Sequence, residues 1–146
     1  MRPGRFHILL LCLLAAVSCR EPRSMEQFIR GKGPYVFMVD MTDTTTSYAF
    51  DFYTRLDASR EELDSFRELR LDCTWQAPSE ARYQETVFMP LDGEDRFFTR
   101  TVLHPYRAGM IPREAGRWTL TVKAPAAVPH RGLGLVVRKE KWDTEN

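Results

Sequence analysis

The stretch Arg117-Trp118-Thr119-Leu120-Thr121-Val122-Lys123 alternates polar and apolar side chains at every step. A period of two marks a β-strand with one wet face and one buried face. It excludes an amphipathic helix, whose apolar positions recur every three or four residues. Trp118, Leu120 and Val122 are therefore assigned to a core, and Arg117, Thr119, Thr121 and Lys123 to solvent. Any fold available to the chain must give this strand something apolar to cover.

The same rhythm recurs along the chain. In 68–76, Leu69, Leu71, Cys73 and Trp75 share one face. In 48–56, Tyr48, Phe50, Phe52 and Leu56 point one way, and Ala49, Asp51, Tyr53 and Arg55 the other. Residues 35–42 are apolar on both faces, with Val36 and Met38 backing Tyr35, Phe37, Val39 and Met41, which predicts cover on both sides. Strands are also expected over 82–91, over 97–103, where His104-Pro105 stops the run, and around Leu133, Leu135 and Val137. Asp43-Thr44-Thr45-Thr46 reads as a polar turn and Asp92-Gly93 as a hairpin turn. Residues 106–114, with Gly109 and Pro112, read as a long loop. Only 58–66 breaks the pattern: Asp57 or Ser59 can cap a short connecting helix, with Leu63 and Phe66 facing inward. About seven short strands divided by turn residues predict an all-β, antiparallel two-sheet β-sandwich, with a closed barrel as the structural alternative.

The beginning of the chain predicts where this domain works. Arg2 and Arg5 precede an apolar run from Phe6 to Val17. Roughly a dozen residues is too short to span a bilayer, which takes about 20, and suits an export signal. The run ends Ala16-Val17-Ser18-Cys19, small residues before a cysteine, as a lipoprotein signal peptide requires. Residues 1–18 are accordingly read as the signal peptide, Cys19 as the site of lipidation, 19–33 as a tether, 34–139 as the β-sandwich domain and 140–146 as a charged tail. Within the tether, Met25 to Ile29 suits either a turn of helix or a first edge strand. A lipid of two or three acyl chains (palmitate-type) gives a stable membrane anchor, each buried methylene contributing about 0.8 kcal/mol.

Removing the signal takes away two arginines and no acid, so the formal charge changes from +1 to −1. That balance points to neither nucleic acid nor an anionic lipid surface. Cys12 leaves with the signal and Cys19 carries lipid, so Cys73 is the lone free thiol, placed by alternation in the core. The mature chain retains two histidines, His104 and His130, each beside a proline. Neither has a second histidine at metal-ligand spacing, and no metalloprotease or serine-hydrolase motif occurs. A Cys73–His104 nucleophile and base is disfavoured because an apolar face keeps a thiol inert. Asp92, Glu94 and Asp95 offer too few oxygens for calcium, which takes six or more. No enzyme, metal or cofactor beyond the lipid on Cys19 is expected.

What remains is surface. Arg96, Arg100, Arg107, Arg113 and Arg117 thicken the late loops, suiting an acidic partner protein or anionic envelope polymers, or else a solvated face balanced by nearby acids. Tyr53 and Phe88 fall on nominally outward faces. The expected partner surface is therefore Arg107, Arg113, Arg117, Tyr53 and Phe88. Trp142, in the tail, is the one tryptophan placed to stack on a sugar, which keeps a glycan-binding lipoprotein of a polysaccharide-uptake system as the alternative.

Several short motifs then stand in a familiar order: the signal ending Ser18-Cys19, the turn Asp43-Thr44-Thr45 and the strand end Tyr53-Thr54-Arg55-Leu56. After them come the unit Glu114-Ala115-Gly116-Arg117-Trp118-Thr119-Leu120 and the strand Gly132-Leu133-Gly134-Leu135-Val136-Val137. In these the chain, from about Tyr35 to Lys139, resembles the GldH family of gliding-motility lipoproteins of Bacteroidetes. The resemblance implies a membrane-anchored sandwich without catalytic residues. It also implies work alongside other envelope proteins in gliding motility or the associated secretion, at the periplasmic side of the outer membrane.

Overall fold

The computed structural model describes residues 24–140, so the signal, Cys19 and Trp142 lie outside the described residues. Nine strands are present among the described residues: β1 (Ser24–Arg30), β2 (Tyr35–Met41), β3 (Ser47–Asp57), β4 (Glu68–Gln76), β5 (Arg82–Pro90), β6 (Glu94–Arg96), β7 (Thr99–Met110), β8 (Gly116–Lys123) and β9 (Gly132–Glu140). One short helix, α1 (Arg60–Ser65), joins β3 to β4. The strands form two antiparallel sheets, ordered β1-β9-β3-β7-β6 and β2-β8-β4-β5. The expected sandwich is the observed architecture.

Alternation dictates the core. Tyr35, Phe37, Val39 and Met41 of β2, Leu69, Leu71, Cys73 and Trp75 of β4, and Trp118, Leu120 and Val122 of β8 turn inward from the four-stranded sheet. Phe50, Phe52 and Leu56 of β3, Val102 of β7 and Leu133, Leu135 and Val137 of β9 meet them from the other sheet. Ser59 caps α1 with a reciprocal capping box to Glu62, and Leu63 is its buried residue.

Register fixes two poles. Ser24 pairs with Arg138, Ser47 with Glu140 and Tyr48 with Met110. The start of β1, the end of β9 and the segment after β7 therefore share one pole. Asp57 pairs with Thr99, which puts the β6–β7 hairpin tip and α1 at the other.

Several sequence expectations are corrected. Met25 to Ile29 takes the edge-strand alternative, so the sandwich includes residues 24–30 of the stretch read as a tether. Val36 and Met38 are exposed, because β2 is an edge strand with solvent behind it. His104-Pro105 does not stop its strand. β7 continues to Met110, and register shifts at Phe50 and Asp51 absorb the proline, which donates no ladder hydrogen bond. Residues 106–110 are accordingly strand, not loop.

Asp92-Gly93 is not the hairpin turn. The turn is Phe97-Phe98, and Gly93 serves a different need. A Cβ on Gly93 would stand 2.1 Å from the carbonyl oxygen of Thr101, so the backbone of one strand runs against the other there. Gly93→Ala should lower stability by about 2 kcal/mol, since neither backbone can yield without parting β6 from β7. A denaturant midpoint equal to wild type would show that the approach is looser than this.

Candidate functional site

A cleft of about 310 Å³ opens at the pole where β1 begins, between edge strand β5 and the end of β7. Its walls include Trp75, Tyr83, Glu85, Arg107, Arg113 and Trp118. Among the described residues, β6 pairs only with Thr99, Arg100 and Thr101, so the rest of β7 has no described neighbour on that side. Two strand edges unpaired among the described residues thus flank the cleft.

Glu85 is the hub. It lies on the inward face of β5, where alternation calls for an apolar residue, and an inward charge protects an edge strand from adventitious pairing. Here the charge is also fully engaged. Arg107 Nε donates to Glu85 Oε1 at 3.2 Å and Nη2 to Oε2 at 2.7 Å. The Tyr106 hydroxyl also donates to Glu85 Oε1, and Trp75 Nε1 donates to that hydroxyl at 2.8 Å. The Arg107 guanidinium sits 5.7 Å from the Tyr106 ring centroid, and Tyr106 stacks on Phe52 in the core.

These contacts set the electrostatics. Burial opposes ionisation of Glu85, but hydrogen bonds from Arg107 and Tyr106 and the arginine charge outweigh it and hold the carboxyl below its ordinary range. Burial, then the hydrogen bond to Glu85, pushes the Tyr106 hydroxyl up, so Tyr106 remains a neutral donor. The other wall is aromatic. Tyr83 stacks on Trp118 at 6.3 Å with an interplanar angle of 26°, and Trp118 meets Trp75 edge-on at 6.4 Å. At the rim, Tyr83 is 51% exposed and Ile111 48%.

The expected partner surface is not one surface. Arg107 and Arg113 come together in the cleft. Arg117 points from β8 to the outer face of the four-stranded sheet, opposite Asp40 in register. Phe88 lies on that outer face too, on β5, opposite Arg70. Tyr53 belongs to the outer face of the other sheet. There its ring covers Gly134, stacks on Phe28 at 5.5 Å and donates to Glu26 Oε1 at 2.6 Å. It is a cross-strand support that fills the gap left by a glycine. Cys19 lies outside the described residues.

The basic cluster is likewise dispersed and partly neutralised. Arg100 is committed to Asp95 and Asp64 at the far pole, and Arg107 to Glu85. Asp95 has both oxygens on Arg100, which removes it from any calcium set. Cys73 is buried on β4, and His104 lies opposite Phe52 on β7. His130 is buried: its Nδ1 donates to the Val128 carbonyl at 2.8 Å and its Nε2 lies 2.7 Å from the Tyr35 hydroxyl. Sequence reasoning missed Glu85 and Tyr106. The available signal was Glu85 itself, a charge on the inward register between Tyr83 and Val87.

Fold and cleft together define a small antiparallel β-sandwich with a preformed, aromatic and charged cleft at one pole. No protein-family model matches the chain, and no curated protein matches it. Among solved structures it is similar to the crystal structure of GEBA250068378 from Sulfurospirillum deleyianum. The identity is 8% and the TM-score 0.38, over 83% of this chain and 99% of that one. A likeness of that size transfers no function.

Proposed function

We propose that the chain is a binding module of a bacterial cell envelope, anchored by lipid on Cys19 and acting by contact with another envelope protein. This is the role that the GldH resemblance implies, in gliding motility or the associated secretion, at the periplasmic side of the outer membrane. In it the protein performs no catalytic step and needs no cofactor beyond its lipid.

The observation that supports this reading best is the cleft. Its polar groups are fixed before anything binds, while Tyr83 and Ile111 leave apolar surface open at the rim. Fixed polar groups beside exposed apolar ones lower the ordering cost of association. The cleft lies at the pole of Ser24, the described residue nearest Cys19 in sequence. Four residues separate Cys19 from Ser24, a stretch that reaches about 18 Å at most. A partner in or on the same membrane is therefore within reach.

The test begins with cross-linking in cells from position 111, identification of the captured protein and its purification. Tyr83→Ser with Ile111→Ser should then weaken binding to that protein at least tenfold with folding intact, as loss of aromatic and apolar anchors does. Unchanged affinity would remove the cleft from this role. The stacked Tyr83–Trp118 pair beside Glu85 and Arg107 also favours a second reading, capture of a sugar ring. Saturable quenching of tryptophan fluorescence by a neutral oligosaccharide, lost in Tyr83→Ala, would establish that one instead.

A further inference from the structure

The β6–β7 hairpin ends in two phenylalanines that stand in water. Phe97 is 96% exposed and Phe98 70%. The backbone also disfavours the first of them. Phe97 has φ +50°, while the φ of Phe98 is not positive. That sign pattern belongs to the type II′ hairpin turn, whose first central residue is ordinarily glycine. A bulky side chain in the left-handed region is an outlier, and such outliers gather at functional sites. Neither the turn nor the core calls for phenylalanine here.

The hairpin is nonetheless held firmly. Asp95 and Arg100 face each other across β6 and β7. Arg100 grips both carboxylate oxygens, Nε to Oδ1 at 2.6 Å and Nη2 to Oδ2 at 3.0 Å. The same guanidinium donates to the Leu63 carbonyl at 3.1 Å and to Asp64 at 2.9 Å, tying the hairpin to α1. Thr99 Oγ1 donates to the Arg96 carbonyl at 2.9 Å across the turn, and the Ala58 N–H donates to the Phe98 carbonyl at 3.1 Å. Exposed aromatics on a rigid support lose little freedom on docking, and aromatic anchors dominate the energetics of protein interfaces.

Position and charge select the occupant. β3 has 11 residues, so the tip stands about 33 Å along the strands from the pole where β1 begins. It is presented away from a membrane anchored through Cys19. Residues 55–67 and 92–100, with Arg131 paired to Asp57, surround it with six arginines and seven carboxylates, a net charge of −1. Apolar tips that seek anionic bilayers carry basic flanks, and this one does not. We infer that Phe97 and Phe98 form a docking anchor that enters an apolar, basic-rimmed pocket of a partner protein on the side away from the membrane. The inference rests on the anchored-module reading, and it gives the module a second contact pole.

The test uses the full chain with a photoreactive phenylalanine at position 97, or at position 88 for comparison, irradiated in cells. A discrete protein adduct is expected at 97 and not at 88. Once identified and purified, that protein should bind a Phe97→Gly, Phe98→Ser variant at least tenfold more weakly than wild type. The variant's Tm should hold or rise by about 3 °C, because glycine suits the turn. A purely structural pair would behave in reverse, with Tm falling and affinity kept. Four results would overturn the inference: equal affinities, an adduct only with phospholipid or a second copy of this chain, no excess adduct at 97, or binding to phosphatidylglycerol vesicles that the variant loses. A Cys19→Ala protein that stays membrane-bound would refute the anchor, and with it the placement of the partner away from the membrane. The titration against the purified partner still decides the anchor pair itself.

Discussion

Native Cys73 should react with a disulfide reagent at pH 8 about a thousandfold more slowly than the same thiol in the unfolded chain. The reagent needs thiolate. Burial on the inward face of β4 pushes the thiol up to about 12, the negative charge of Glu85 adds to the effect, and the neighbouring Tyr106 hydroxyl opposes it. An unfolded cysteine titrates near 8.5, so between the two states the thiolate fraction at pH 8 falls by roughly three powers of ten. The native rate should rise tenfold per pH unit through pH 10 without levelling. The unfolded chain should level off near its ordinary pKa. A native rate within tenfold of the unfolded one, or a plateau near pH 9, would place the thiol at the surface and refute the inward assignment of Leu71, Cys73 and Trp75 together.

That assignment was legible because period two leaves little freedom. A one-residue slip of β4 or β8 would turn Trp75, Trp118 and their neighbours to water, so the sequence pattern and the buried face must agree. The sandwich follows from repeating the argument strand by strand. Ser59 was one of two caps the sequence offered, and the glutamate three residues on selects it.

What the sequence misplaced shares one physical cause. Proline, glycine and charge punctuate the chain, but each has more than one use. His104-Pro105 resembles a strand end, yet a proline beside a register shift interrupts no ladder. Asp92-Gly93 resembles a hairpin turn, yet Gly93 is required by the carbonyl of Thr101 pressing against it. The true turn, Phe97-Phe98, carries none of the usual turn residues and is invisible to turn rules.

The candidate site was less legible still, because it is a product of pairing across sheets. Reading Tyr106 as a loop residue followed from ending β7 at His104, and it concealed the contact with Trp75 on the other sheet. Arg107 and Arg113 were singled out as part of a basic patch, but the neutraliser of Arg107, Glu85, lies 22 residues earlier in the chain. Tyr53 and Phe88 face outward as expected, one from each sheet, so no single partner surface can use both with the arginines.

Replacing Glu85 by alanine should cost about 3 kcal/mol and lower Tm by about 10 °C. The carboxylate accepts from Arg107 through both oxygens and from the Tyr106 hydroxyl, and charge-assisted bonds of this kind contribute more than neutral ones. Alanine leaves the largely buried Tyr106 hydroxyl without an acceptor, while the exposed side of Arg107 recovers water. Glu85→Gln retains one acceptor and should lose about half as much. The pH dependence separates this network from simple packing. Hydrogen bonds and the arginine charge depress the carboxyl in the folded state in spite of burial. The stabilisation is therefore present above the ordinary glutamate pKa of about 4.3 and is lost as pH falls through the lower folded value. The stability difference between wild type and Glu85→Ala should stay constant from pH 6 to pH 9 and shrink below about pH 4. Urea melts of both proteins across that range provide the measurement. A difference unchanged down to pH 3 would assign the loss to packing of the glutamate stem, and Arg107 would then be a surface arginine free to meet an acidic partner.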